Sequence, residues 1–245
     1  MSLRITLVTA ARVLNQIRSD RRTVAMLLLV PSLLISLMYF IFDSAPQIFN
    51  QVGLIMLGVF PFVLMFLITS VTMLRERTGG TLERLMTTPT NKLDLICGYA
   101  VAFGVAAAAQ SALATGVAYW LLDLETAGSA GLVVLIAVVT ALLGMALGLL
   151  VSAFARSEFQ AVQFMPVVVI PQMLLCGLIY PRDEMVGWLQ GISDVLPLTY
   201  AVEALHEVQV NTEATSELWL YLTIVGLCVI AAVVLGAFTL RRRTA

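Results

Sequence analysis

Residues 52–74 read VGLIMLGVFPFVLMFLITSVTML, and residues 75–92 continue RERTGGTLERLMTTPTNK. The first run has no ionisable side chain and is long enough to cross a bilayer, which takes roughly 20 mostly apolar residues. The second gathers six charged residues in a chain of which only 12% is charged. A span followed at once by a compact charged segment sets the pattern for the whole chain.

Five more apolar runs follow the same rule, at 24–42, 95–122, 130–155, 159–180 and 218–240. They are continuous rather than alternating, which selects helices over barrel strands. The chain is 60% hydrophobic, against about 45–50% for a soluble domain. The expected fold is therefore all-α and integral to the membrane: one domain over 1–245 with six transmembrane helices. Gly144 and Gly148 form a G-x-x-x-G pattern in the fourth span, read as intrachain packing. Pro31, Pro61, Pro166 and Pro171 interrupt the backbone ladders of spans one, two and five.

Thirteen of the 14 basic residues fall on one side of this topology, and Arg182 alone falls on the other. The positive-inside rule then places both termini in the cytoplasm. Ten of the 15 acidic residues lie in the opposite loops. Tyr39, Tyr119, Trp120, Tyr180, Trp219 and Tyr221 cluster at outer span ends, where amphipathic rings prefer the head-group region. The first 23 residues read not as a cleavable signal but as an interfacial amphipathic helix, with Leu3, Leu7, Leu14 and Ile17 interleaved with Arg4, Arg12, Asn15 and Arg18. A solvated tail is the alternative.

The inventory of reactive groups argues against an enzyme. His206, the one histidine, lies in an outer loop, the spans carry no aspartate pair, and no G-x-x-x-x-G-K-[ST] phosphate loop is present. Without a carboxylate at membrane depth, ion-coupled transport also lacks its usual site. Cys97, Cys176 and Cys228 sit singly in apolar runs and read as packing residues, not as metal ligands or a disulfide framework. The polar residues of the spans are neutral. Most satisfy helix contacts; Ser36, Ser70 and Gln172, with Met165, are the candidates for a substrate path.

In the charged segment, Gly79 and Gly80 let the chain turn, Thr81 caps a short helix and Glu83 sits in its first turn. Leu82, Leu85 and Met86 share a face, and Pro89 ends the helix. Such a helix offers an apolar anchor to a partner, flanked by Arg75, Glu76, Arg77 and Arg84 for ion pairs. An ordinary loop whose arginines only set topology is the alternative. On the outer side, Pro181 opens a segment in which Met185, Trp188, Leu189, Ile192 and Leu196 share one face. Pro197 interrupts it, and Tyr200 begins a second amphipathic piece with Val202, Leu205 and Val208 against Glu203, His206 and Glu207. The segment 181–217 reads as two re-entrant helices that close the top of a chamber, or as a small ectodomain.

The run IYPRDEMVGWLQGISDVLPLTYAVEAL at 179–205 resembles the outer-loop signature of ABC type-2 exporter permeases, and RERTGGTLERLMTTP at 75–89 resembles their cytoplasmic segment between spans two and three. The resemblance covers essentially the whole chain and leans toward drug-resistance permeases of the daunorubicin type. It departs at His206, where family members often carry arginine. It implies a transport half without its motor: two permease chains, here a homodimer, with two copies of a separate ATPase subunit that bind ATP and magnesium, so that this chain itself needs no cofactor. Spans one, two and five would line the dimer cavity, the segment 75–94 would be the coupling contact, and the outer helices would gate. The cargo expected of a charge-free chamber is an amphipathic or lipophilic drug or lipid, with no nucleic acid involved. Export of an envelope lipid or glycan precursor, or a structural or receptor-like protein that transports nothing, are the competing expectations.

Overall fold

Every element of the computed structural model, which describes residues 2–79 and 92–239, is helical or a connection between helices. Among the described residues nine α-helices run in the order α1 Leu3–Ser19, α2 Arg21–Ile41, α3 Pro46–Thr78, α4 Lys92–Leu121, α5 Ala130–Val151, α6 Glu158–Leu175, α7 Gly187–Ser193, α8 Pro197–Val210 and α9 Ser216–Phe238. A 3₁₀ turn at Arg182–Glu184 precedes α7. Six of the helices are long and apolar enough to span: α2, α3, α4, α5, α6 and α9.

Local chemistry sets their ends. The Asp20 carboxylate accepts the amides of Arg22 and Thr23, so α2 starts three residues before its apolar run. The Thr23 hydroxyl, then those amides, hold the Asp20 carboxyl below its ordinary pKa. Pro46 and Pro197 open α3 and α8, where a missing N–H costs nothing. Ser129, Ser157 and Thr215 cap α5, α6 and α9 through their hydroxyl oxygens. Two expected boundaries move inward. Span four ends at Val151 rather than 155, and span five at Leu175 rather than 180, because Cys176 leads into Gly177 with a left-handed φ of 91°.

Span two differs most from its expected range. It continues beyond 74 to Thr78, making 33 residues, or roughly 50 Å at 1.5 Å per residue. That exceeds a hydrocarbon core of about 30 Å, so Arg75, Glu76 and Arg77 form the last turn of a projecting helix, not the beginning of a loop. Gly79 follows with φ −79° and ψ 0°, which any residue adopts. The turn it was expected to permit does not depend on its being glycine.

The helices form an inner and an outer set. In the most apolar window of α3, α4 and α5, 67%, 56% and 61% of residues are buried within the chain, against 22%, 17% and 22% for α2, α6 and α9. The extensive contact between α3 and α5 rests on the G-x-x-x-G pair. A Cβ at Gly144 would lie 2.1 Å from the Phe62 carbonyl oxygen, and one at Gly148 would lie 2.5 Å from that of Phe66. The motif is used inside the chain, as its sequence suggested.

Helix α1 lies against α4 through Thr6, Thr9, Ala10 and Val13. Gly98 makes room for it, since a Cβ there would meet Thr9 at 2.5 Å. The expected single apolar face divides in two. Leu14 and Ile17 pack on the core, while Leu3 and Leu7, with Val8, remain exposed.

Candidate functional site

Both candidate sites are built where span ends meet. At the arginine-rich end, α1 touches the last turn of α3 and the first turns of α4. An Arg12 Nη2 donates to the Tyr99 hydroxyl at 2.6 Å and lies 3.6 Å from a Glu76 oxygen. Its guanidinium also sits 5.8 Å from the centre of the Tyr99 ring. The Ser2 amide donates to Asp94 at 3.0 Å. Arg75 grips Glu158, the first residue of α6, with two bonds of 2.7 and 2.9 Å. Arg77 donates to the Thr239 hydroxyl at the end of α9 at 3.2 Å.

Arg75, Glu76 and Arg77 were read as forming ion pairs with a partner; the structure gives each a contact within the chain. Glu76 is 6% exposed, and its burial makes the Arg12 pair structural. The Arg75–Glu158 pair is exposed on both sides and adds little to stability. Gly80, Thr81, Leu82, Glu83, Arg84, Leu85, Met86 and Pro89 lie outside the described residues. What the structure adds is their setting: the helix entering that segment is tied to α1 through Arg12, and the helix leaving it through Ser2 and Gly98.

Arg12, Tyr99, Asp94 and Glu158 were absent from the sequence-derived site. One signal could have found two of them. Acidic residues are scarce at this end, and each described one is engaged: Asp20 in a cap, Glu76 with Arg12, Asp94 with Ser2, Glu158 with Arg75.

At the opposite end Arg182, the only basic residue there, bonds Glu203 on α8 at 2.7 Å and also pairs with Asp194 after α7. Burial would lower its pKa; the bond to Glu203 and the charges of Glu203 and Asp194 outweigh that and raise it. The Gln190 amide nitrogen donates to the carbonyls of Arg182, Asp183 and Met185. The Tyr200 hydroxyl donates to the Asp194 carbonyl at 2.7 Å, and Ser193 ties α7 to the Leu175 carbonyl at 2.8 Å. Pro181, the 3₁₀ turn, α7 and the start of α8 are thus knotted around one guanidinium.

The two amphipathic pieces fare differently. Val202, Leu205 and Val208 are buried, as their spacing predicted, with His206 exposed and Glu203 half-buried against Arg182. In the first piece α7 has only seven residues. Trp188 is 67% exposed and Ile192 is exposed too, while Met185 and Leu189 are half-buried. The chain alone does not give Trp188 an apolar setting.

The proposed substrate-path residues are each engaged locally. Ser36 and Ser70 donate to carbonyls of their own helices, at Ser32 and Leu67. Gln172 is buried and donates to Val168, and Met165 packs partly on the core. Two outer cavities, of about 660 and 270 Å³, are lined by other residues, among them Asn50, Tyr119 and Glu125 in the larger and Tyr39, Asp43 and Phe49 in the smaller.

Six helices long and apolar enough to span, joined at their ends by these polar contacts, define a multi-pass membrane protein. The family described as ABC-2 type transporter matches residues 4–210, and the chain belongs to that family. It is 26% identical over 153 residues to the probable multidrug ABC transporter permease YbhR of Escherichia coli K12, covering 62% of this chain and 42% of that protein. It is 26% identical over 157 residues to the linearmycin resistance permease protein LnrN of Bacillus subtilis, covering 64% and 39%. The ABC transporter G family member 20 of Dictyostelium discoideum matches at 27% over 144 residues, covering 59% and 20%. The matched part of the chain thus spans less than half the length of each of these relatives.

Proposed function

We propose that this chain is the permease subunit of an ATP-driven exporter. It moves an amphipathic or lipophilic molecule out of the cytoplasm or inner leaflet while a separate ATPase subunit binds ATP with magnesium and hydrolyses it. The observation that carries this reading is the family match across 4–210, on a chain whose six spans place no ionisable side chain deep in the bilayer. Neutral spans weigh against an internal ion-driven cycle, and the energy is assigned to a partner. The multidrug and linearmycin-resistance names of relatives support a lipophilic cargo.

Within this reading two copies of the chain pair in the bacterial inner membrane with both termini in the cytoplasm, as the arginine distribution indicates. The mostly exposed surfaces of α2 and α6 are available to a second copy or to lipid. The segment 80–91 is the ATPase contact, with Leu82, Leu85 and Met86 as its anchor. Its setting supports this, because α1 holds both flanking helices and a push on the segment would move α3 and α4 as a unit. The helix α1 lies in the inner membrane interface, with Leu3, Leu7 and Val8 toward lipid. The α7–α8 segment gates the outer side, with Trp188 and Ile192 covered by lipid or by the second copy.

The test is co-purification and turnover. A tagged permease expressed with a cognate ABC ATPase should recover that ATPase, and the pair should hydrolyse ATP faster when a lipophilic cargo is added. A permease that recovers no ATPase loses the exporter assignment.

A further inference from the structure

A crevice of about 200 Å³ opens between α1, the start of α2 and the end of α3. Val13 and Ile17 of α1 and Ile68 of α3 give it an apolar wall, and Gln16, Thr72 and Glu76 give it a polar one. Glu76 is 6% exposed, yet among the described residues its Oε2 accepts no hydrogen bond. Its other oxygen has Arg12 at 3.6 Å, longer than the 2.7–2.9 Å of a well-made charge-assisted bond, and the Tyr99 hydroxyl that Arg12 bonds stands beside the same carboxylate. A buried carboxylate whose one cation stands off at 3.6 Å is costly. The crevice that Glu76 lines is where a second cation would sit.

The surrounding charges fit that ligand. Asp20 lines the same crevice and is a carboxylate held in its charged form by its capping bonds. Arg75 also lines it, but its guanidinium is engaged by Glu158. Two carboxylates and an apolar wall, at the end of a span and beside an amphipathic helix, select an ammonium attached to a hydrocarbon. We propose that this crevice binds the ammonium group of an amphipathic amine taken from the inner leaflet, with Glu76 as its principal partner. The amine is either a drug-like lipophilic base or an aminophospholipid; for the latter, exposed Arg21 and Arg22 stand beside Asp20 to take the phosphate. As an intake site for cargo the crevice rests on the exporter reading.

The experiment measures equilibrium binding of radiolabelled tetradecylamine to the full-length chain in phosphatidylcholine nanodiscs, with empty nanodiscs subtracted. It needs neither ATPase nor ATP, so its failure is separate from failure of the exporter reading. The expected result is a saturable component of about one amine per chain, weakened about tenfold or more by Glu76→Gln and shown equally weakly by tetradecanol. Arg12→Gln removes the competing guanidinium but keeps the carboxylate, so binding should be retained or tightened. Displacement by phosphatidylethanolamine in the disc identifies a lipid ligand; displacement only by the soluble base propranolol identifies a drug-like one, and either supports the site. No saturable component, equal binding of tetradecanol, or an equal loss in Glu76→Gln and Arg12→Gln overturns the proposal, the last because the pair would then be only structural.

Discussion

The two ends of the helix bundle are built on opposite charge but by the same device. At one end the arginines are in excess and the scarce carboxylates of Asp20, Glu76, Asp94 and Glu158 join elements together. At the other end carboxylates are in excess and the one guanidinium, Arg182, holds the turn, α7 and α8. The majority charge is free to set topology and meet lipid or solvent. The minority charge has partners in surplus, so it pays little entropy to find one and becomes a structural pin. The difference lies in burial. Glu76 is nearly enclosed, whereas the carboxylates around Arg182 are half-open to solvent.

The largest expected effect is on the layer that supports both ends. Gly144→Leu drives a side chain into the Phe62 backbone, which cannot retreat without separating α3 from α5. A loss of about 3 kcal/mol or more is expected, read as failure to recover monodisperse protein in detergent. Wild-type yield and melting temperature would show that the two helices are not locked there.

Next, the ends should separate in energy. Arg12→Ala leaves the buried Glu76 without its cation, and about 2–4 kcal/mol of stability should go. Arg182→Ala leaves two partly solvated carboxylates and should cost about 1–2 kcal/mol. Denaturant unfolding in matched micelles checks the order; a larger loss at Arg182 would reverse the comparison. The smallest effect belongs to the exposed Arg75–Glu158 pair. Glu158→Gln should leave the unfolding midpoint within error of wild type, and a clear shift would make that pair part of the pinning network.

How much of this was legible beforehand follows from what hydropathy reports. The six spans, the Gly144–Gly148 contact and the buried face of α8 were readable, because spacing and run length fix them directly. The division of α1 into a protein face and an exposed face was not. In lipid, an apolar residue against a neighbouring helix and one against a chain of methylenes look the same in sequence. The projecting end of α3 was hidden for a related reason. Arg75 and Glu76 end the apolar pattern but not the helix, and their partners at Glu158 and Arg12 lie far along the chain in both directions. Trp188 shows the converse: its periodicity places it on an apolar face, yet within the chain it is 67% exposed.

The central claim, that a separate motor drives this permease through residues 80–91, is tested most directly in proteoliposomes. These would carry the permease with its ATPase and a fluorescent lipophilic cargo, and the wild type would be compared with Leu85→Asp at matched expression. The expected result is ATP-dependent cargo movement by the wild type, with Leu85→Asp losing at least about tenfold of it and releasing or uncoupling the ATPase, since a charge in an apolar docking groove costs a few kcal/mol. Full ATPase binding and wild-type transport by Leu85→Asp would contradict the coupling assignment and leave the arginines of that segment with topology as their only role.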